Sequence, residues 1–354
     1  MSSKSPVRIA DRDIGPGELP YVIAEMSANH CGSLEVALEL IEAAASAGAS
    51  AIKVQHYKPE FMTVNSLLPE FRISGGTIWD GKTLYDLYGE AMTPWEWTDE
   101  LLGHANRHGI HFFSSPFDIS AVEFLHSRDV PAFKIASFEL VDTPLIRYAA
   151  SKGRPMILST GMATEGEIDS AISAVLETGN QQIVLLRCNS SYPAPTNEMD
   201  LQTLTDMGRR WPAEIGLSDH TLSSIAAVVA KSFGASVFEK HLTLSRNNRS
   251  PDALFSVEPK EFKQYVEDIL EAHQAIGEIR YGPSAAEQRS LVFRRSLRAS
   301  RRIEAGQRLD KNCVASLRPA GGLSPGLLSQ IDQFVALKNL EIGEAITDDC
   351  IRKA

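Results

Sequence analysis

The sequence lacks several things that would fix a function class at once. No apolar run approaches the roughly 20 residues needed to span a bilayer, and the first residues carry no apolar leader. No cluster of Lys and Arg exceeds a pair such as Arg301–Arg302, and the net charge is −10. Phosphate neutralisation along a nucleic acid needs a clustered basic surface, so nucleic acid and anionic membranes are excluded as expected partners. An anionic small molecule is not, because a few buried cations can hold one whatever the overall charge. The four cysteines, Cys31, Cys188, Cys313 and Cys350, are far apart and form no CxxC pair, which reads as reduced thiols. Together these absences predict a soluble, cytoplasmic protein.

What is present is a regular alternation. Short apolar runs recur at 21–26, 50–55, 110–115, 132–137, 155–160, 183–189, 214–219 and 236–242, from "YVIAEM" to "SVFEKHL". Most are continuously apolar, as parallel strands buried on both faces must be. The stretches between them, such as "LEVALELIEAAASAGA" and "EGEIDSAISAVLETG", repeat apolar residues at helical spacing and end in Gly. Eight βα units over some 250 residues predict an α/β fold, a (β/α)8 TIM barrel. An open doubly wound sheet is the alternative, but no GxGxxG follows the first strand. After a last helix near 260–277, "GEIRYGPSAAEQRS" reads as a linker at 278–291. From there short strand-like pieces and Gly/Pro turns predict a small β-rich domain over 292–354, against a barrel domain over 1–277.

One connection breaks the rhythm. Residues 56–98, between the second and third strands, far exceed a usual βα loop and include "GTIWDGKTLYDLY" at 76–88. Long insertions at that face of a barrel usually serve function.

Side chains at the C-terminal ends of barrel strands converge on one site. Those ends supply Glu25, Lys53, Gln55, Ser115, Lys134, Ser137, Glu139, Ser159, Asn189, Ser190, Tyr192, Ser218, His220 and His241. Lys53 and Lys134 lie inside apolar strands, where an unpaired ammonium is costly. They form either structural Lys–Glu pairs or, with the serine hydroxyls, a pocket for phosphate or carboxylate. His220 and His241 end neighbouring strands and suit an open divalent metal site. Glu25 and Glu139 remain for proton transfer or for gripping a hydroxylated substrate.

The strings "IAEMSANH", "IKVQHYKPE", "FSSPFD", "KIASFE", "STGMAT", "SYPAP", "GLSDHT" and "EKHLT" together resemble the sialic-acid synthase family, in order and over almost the whole chain. The C-terminal "RRSLRASRRIEAGQRL" and "LRPAGGLSP" resemble its antifreeze-like (SAF) domain. The resemblance implies condensation of phosphoenolpyruvate with an N-acylated amino sugar to a nonulosonic acid and phosphate. By resemblance, Lys53, Ser115, Lys134, Ser137, Ser159 and Ser218 hold phosphoenolpyruvate, with Tyr192 and Asn189 or Ser190 nearby. The same resemblance gives His220 and His241 a divalent cation, Mn2+ or Mg2+. It sets Glu139, with Glu25 and Lys53, at the chemistry, and gives Gln55, Asp252 and Glu25 to the sugar. Arg318 matches an arginine sent into the partner's site, which implies a domain-swapped homodimer. Residues 188–192, "CNSSY", depart from the family pattern, so Asn189 and Ser190 stay open as alternatives. Within the family, "GTIWDGKTLYDLY", "EAMTPWEW" and "SPDALFS" look like the pseudaminic acid branch, not the neuraminate or legionaminate branches. Trp79, Tyr85 and Tyr88 would form an apolar wall suited to a deoxy sugar.

Overall fold

The computed structural model describes residues 6–74, 76 and 79–354; Gly75, Thr77 and Ile78 of the unusual insertion lie outside the described residues. The chain divides into two units, Met1–Gly277 and Glu278–Ala354, so residues 278–291 fall with the second.

The first unit begins with a hairpin, β1 (Val7–Ile9) and β2 (Arg12–Ile14), that no sequence pattern announced. Val7, Ile9 and Ile14 are buried in the core of the unit. The backbone N–H of Arg8 donates to Gln182, just before a barrel strand begins, so the hairpin covers the N-terminal end of the strands. Eight parallel strands then close on themselves: β3 (Tyr21–Glu25), β4 (Ala51–His56), β5 (His111–Pro116), β6 (Phe133–Ile135), β7 (Met156–Ser159), β8 (Ile183–Cys188), β9 (Glu214–Asp219) and β10 (Val237–His241). Pairing of β10 with β3, in the register His241 to Glu25, completes the ring and excludes the open sheet.

Apolar side chains on both faces of these strands force coverage on both sides. The outer cover is α1 (Leu34–Ser46), α4 (Thr98–Arg107), α5 (Ile119–His126), α6 (Thr143–Ala150), α7 (Glu165–Leu176), α8 (Thr203–Arg210), α9 (Ile225–Ser232) and α10 (Pro259–Ile276). Between β4 and α4 lie two further helices, α2 (Pro59–Met62) and α3 (Leu84–Ala91). Local chemistry sets the helix starts. Ser33 and Thr164 accept backbone N–H groups at the starts of α1 and α7, the latter in a reciprocal capping box with Glu167. Gly216, mid-strand in β9, is dictated by closure: a Cβ there would stand 2.2 Å from the Val237 carbonyl oxygen.

One expectation needs correction. The fourth strand, expected over 132–137, ends at Ile135; Ser137–Glu139 turn out of the sheet as a 3-10 turn and so face the barrel mouth. The sequence also left unassigned a helix within the insertion, α3, started by Thr83, whose hydroxyl accepts from Asp86 N–H. Its helical signal lasts only eight residues, too few to stand out among aromatics.

The second unit holds two antiparallel pairs, β11 (Ser296–Ala299) with β12 (Val314–Leu317) and β13 (Phe334–Ala336) with β14 (Ile351–Lys353). A small core around Leu297, Ile303, Leu309, Val314, Ile331, Leu340 and Ile346 holds them together.

Candidate active site

The C-terminal ends of the barrel strands open into a cavity of about 420 Å3. Its floor is a layer of buried charge. Lys53 on β4 lies 2.5 Å from Glu25 on β3 and donates to Ser115 on β5 at 3.2 Å. Glu239 on β10 sits between the two lysines, 3.4 Å from Lys134 and 3.8 Å from Lys53, and accepts from Ser218 at 3.3 Å. Burial would push Glu239 up, but the two ammonium groups outweigh it and hold its carboxylate below the usual range. Burial pulls Lys134 down, and Glu239 offsets this only in part. Lys53 is also penalised by burial, yet two flanking carboxylates hold it above its ordinary value. A charge pair this deep is stable only because each member has a partner.

Above this floor stands a ring of hydroxyls. Ser137, Ser159, Ser190 and Ser218 line the cavity with Lys134. The Ser159 hydroxyl is buried without a hydrogen-bond partner among the described residues. Gly161 makes the convergence possible: a Cβ there would fall 2.2 Å from the Ser190 hydroxyl and 2.8 Å from that of Ser137. Its N–H instead donates to Ser137 at 3.2 Å. One ammonium and several uncommitted hydroxyl donors form a cradle for an anion with several oxygens.

Beside the cradle, His220 and His241 face each other with ring centroids 5.4 Å apart. His220 Nδ1 donates to the Asn189 carbonyl at 2.7 Å, which leaves Nε2 as the lone-pair nitrogen. His241 Nδ1 is buried with no partner among the described residues. Burial first, then the charge of His220 and the lysines, holds His241 well below the ordinary imidazole range and so neutral. Tyr192 packs on His220 at 4.3 Å and Phe255 on His241 at 5.1 Å, fixing both rings. Two oriented imidazoles, one neutral with an unanswered nitrogen, fit a divalent cation whose other ligands come from water or substrate. Among the described residues the three-member group of metal-type ligands is elsewhere, Glu42 on α1, His104 on α4 and His108 just past α4; none of them lines the cavity.

Glu139 lines the cavity with one carboxylate oxygen buried and without a hydrogen-bond partner among the described residues. Burial pushes it up to about 7, against the opposing pull of its backbone hydrogen bond and of Lys134. A carboxyl poised there can both accept and return a proton near neutrality.

The outer part of the cavity is apolar. Leu84, Leu87, Tyr88 and Ala91, one face of α3, join Trp79, Tyr57 and Phe117. Tyr85 does not line it, contrary to expectation: the i, i+3, i+4, i+7 spacing that turns 84, 87, 88 and 91 inward turns 85 aside. The Trp79 indole donates to the Pro251 carbonyl at 3.0 Å and meets Tyr192 and Phe255 edge-on. Gln55 and Asp252 supply polar groups at this end. Gln55 donates to Glu25 at 3.1 Å and to Ser27 at 2.9 Å; Asp252 accepts from Ala28 N–H at 3.2 Å.

Thus most of the expected strand-end residues meet in one cavity, with three kinds of exception. Glu25, Lys53 and Ser115 do not reach its surface; they lock together beneath it, the structural Lys–Glu pairing that was one of two readings for Lys53. Asn189 turns away, its amide donating to Glu198 O at 3.1 Å and accepting from Ser191 N–H at 2.9 Å, so Ser190 faces the cavity instead. Arg318 belongs to the second unit, exposed just past β12. Sequence reasoning passed over Glu239, although the period of two in "VFEKH" puts it on the same strand face as His241.

Glu139 yields a pH-dependent expectation. Its pKa rises from 4.5 unfolded to about 7 folded, so it stabilises the fold fully below the unfolded value. That contribution is lost as pH rises through 7. Glu139→Gln should therefore melt above the parent at pH 8, by on the order of 1–3 kcal/mol, and the gap should shrink towards pH 5. Equal melting curves at both pH values would rule out a buried, raised carboxyl.

Comparison with known proteins agrees with the cavity. Residues 40–281 match the model of the NeuB family. The pseudaminic acid synthase of Campylobacter jejuni subsp. jejuni serotype O:23/36 is 40% identical over 332 residues, 94% of this chain and 96% of that protein. That of Helicobacter pylori is 40% identical over 95% of this chain and 98% of its own length. The crystal structure of the N-acetylneuraminic acid synthetase of Leptospira borgpetersenii, in complex with citrate, superposes with a TM-score of 0.72 at 29% identity. It covers 81% of this chain and 95% of that one. The chain belongs to the NeuB family.

Proposed function

We propose that this NeuB-family enzyme condenses phosphoenolpyruvate with 2,4-diacetamido-2,4,6-trideoxy-altropyranose, in its open-chain aldehyde form, to give pseudaminic acid and phosphate. It is then a C–C bond-forming transferase. The observation that carries this reading is one cavity holding an anion cradle, two facing imidazoles and an apolar outer wall. The 40% identity to two pseudaminic acid synthases supports the choice of sugar; N-acetylneuraminate or legionaminate synthesis is the alternative.

In this reading Lys134, Ser137, Ser159, Ser190 and Ser218 bind the phosphate and carboxylate of phosphoenolpyruvate. The Lys53–Glu25–Glu239 layer beneath keeps Lys134 in place. His220 and His241 would hold the divalent cation, Mn2+ or Mg2+, with Tyr192 setting the ring of His220. Bound there, the cation supplies a Lewis acid for the sugar aldehyde. The methylene carbon of phosphoenolpyruvate bonds to the aldehyde carbon, leaving positive charge on the carbon that bears phosphate. Glu139 faces that charge and takes the proton of the water that adds there. The tetrahedral carbon then expels phosphate with C–O cleavage to leave a ketone. The proton held by Glu139 goes to the departing phosphate, and the hydroxyl proton of the tetrahedral carbon goes to the oxygen left anionic when the aldehyde carbon was attacked. Gln55 and Asp252 orient sugar hydroxyl or amide groups. The α3 face and Trp79 take up the methyl carbons of a deoxy, diacetylated sugar, which polar hydroxyls would not favour.

The second unit, as an antifreeze-like domain, would send Arg318 into the cavity of a second copy in a domain-swapped homodimer. No described helix is long and apolar enough to cross a membrane, in keeping with a soluble, cytoplasmic biosynthetic enzyme.

The decisive assay is phosphate release from phosphoenolpyruvate with a panel of sugars, with and without chelator. We expect turnover of the diacetamido-altrose sugar, abolished by chelation and restored by Mn2+ or Mg2+. Turnover of N-acetylmannosamine alone would overturn the sugar, and activity indifferent to chelation would overturn the role of His220 and His241. Trp79→Ala should raise KM for the sugar roughly 10-fold or more while leaving that for phosphoenolpyruvate within about twofold; parallel changes in both would remove Trp79 from the sugar end. Arg318→Ala should impair sugar use without lowering the melting temperature, and an unchanged sugar KM would count against the swap.

A further inference from the structure

Away from the cavity, the outer surface of the barrel carries a group of side chains that the condensation does not use. The sequence "HANRH" at 104–108 puts two imidazoles four apart in the last turn of α4 and just past it. That spacing stacks them on one helix face, and their ring centroids are 4.7 Å apart. The neighbouring helix α1 brings Glu42 against them. Its carboxylate lies 3.1 Å from His104 Nε2 and 3.9 Å from His108 Nε2. The ligand atoms of the three residues all lie within 4.8 Å of one another.

We infer that Glu42, His104 and His108 form a second divalent-metal site, of the zinc class, that clips α1 to α4 independently of the cavity. Metal–ligand distances of 2.0–2.2 Å in a tetrahedron give ligand–ligand edges of about 3.3 Å. The 3.1 Å edge already matches, and the 3.9 Å edge needs a closing movement that an exposed side chain can make. Two imidazoles and one carboxylate select a borderline ion such as Zn2+ over Mg2+ or Ca2+, which prefer all-oxygen shells. Two further features favour a cation here. Among the described residues, Glu42 has ion-pair contacts only with these two histidines, and no Lys or Arg neutralises it. The site also lies at the C-terminal end of α4, the negative pole of the helix dipole.

One contact must give way. The Arg107 guanidinium donates to His104 Nδ1 at 3.0 Å, so the proton of that ring sits on Nε2, facing Glu42. Metal uptake moves the ring proton to Nδ1, and Arg107, an exposed side chain, turns into solvent. The location gives the clip a purpose. α4 follows directly on the insertion that roofs the cavity, so tying its far end to α1 steadies the base of that insertion.

Metal-stripped protein titrated with zinc chloride by calorimetry tests this. His241→Ala, which disables the cavity pair, should keep one saturable zinc per chain and gain a few degrees in melting temperature on zinc addition. Adding His104→Ala and His108→Ala to that background should abolish both effects. An unchanged isotherm in the triple variant, or no saturable uptake in His241→Ala, overturns the site. Because His241→Ala itself could fail to fold, the exposed substitution Glu42→Gln provides an independent arm. In otherwise unaltered protein it should weaken one of the two bound zinc ions at least 10-fold and leave Mn2+-supported turnover as it was. Unchanged zinc affinity in Glu42→Gln equally overturns the proposal.

Discussion

Everything at the mouth of this barrel depends on the buried quartet of Glu25, Lys53, Glu239 and Lys134. Four charged side chains less than 5% exposed would be ruinous singly. As an alternating set drawn from β3, β4, β10 and β6, they cost little and cross the barrel from one side to the other. Closure of the ring is what makes the set possible. The register that brings His241 opposite Glu25 also brings Glu239 within reach of both lysines. The quartet sums to zero charge, so the attraction for an anion is not a bulk field. It comes from one ammonium at the cavity surface and from hydroxyls whose orientation the surrounding packing fixes.

A barrel was legible in the sequence because doubly buried parallel strands leave a strong local signature, and because Gly and Pro punctuate them. The cavity was legible for a related reason: polar residues at strand ends have few structural explanations. Two kinds of information were not local. Whether Lys53 faces substrate or pairs with Glu25 depends on which side chain across the strand gap claims it, and no spacing within "AIKVQH" says so. Asn189 and Ser190 differ only by which way the chain turns after Cys188, and that turn is set by the carbonyl of Asn189 reaching the imidazole of His220. Glu239, by contrast, could have been found, since it shares the inward face of β10 with a residue that was. The insertion was read correctly as unusual, but α3 within it was hidden because eight residues give barely two helical turns.

The site also divides labour between rigid and adaptable parts. The anion cradle and the imidazoles sit on strand ends and the turns that follow them directly, where a misplacement of a few tenths of an ångström is resisted by the whole ring. The apolar wall sits on the short helix α3, whose Leu87 is buried and whose Tyr88 meets Tyr57 edge-on, and on Trp79, tied to the Pro251 carbonyl. One barrel can thus keep a fixed chemistry while the wall varies with the sugar, the arrangement expected where loops carry specificity on a rigid scaffold.

The hydroxyl of Ser159, the imidazole nitrogen of His241 and the carboxylate oxygen of Glu139 share one property: each is buried and none is answered by a hydrogen bond among the described residues. Groups of this kind weigh against the folded state until something else satisfies them. Folding and loading are therefore thermodynamically linked in this barrel. The same three atoms that make the cavity receptive also keep the unladen fold short of its maximum stability, so occupancy is written into the melting temperature of the enzyme as well as into its turnover.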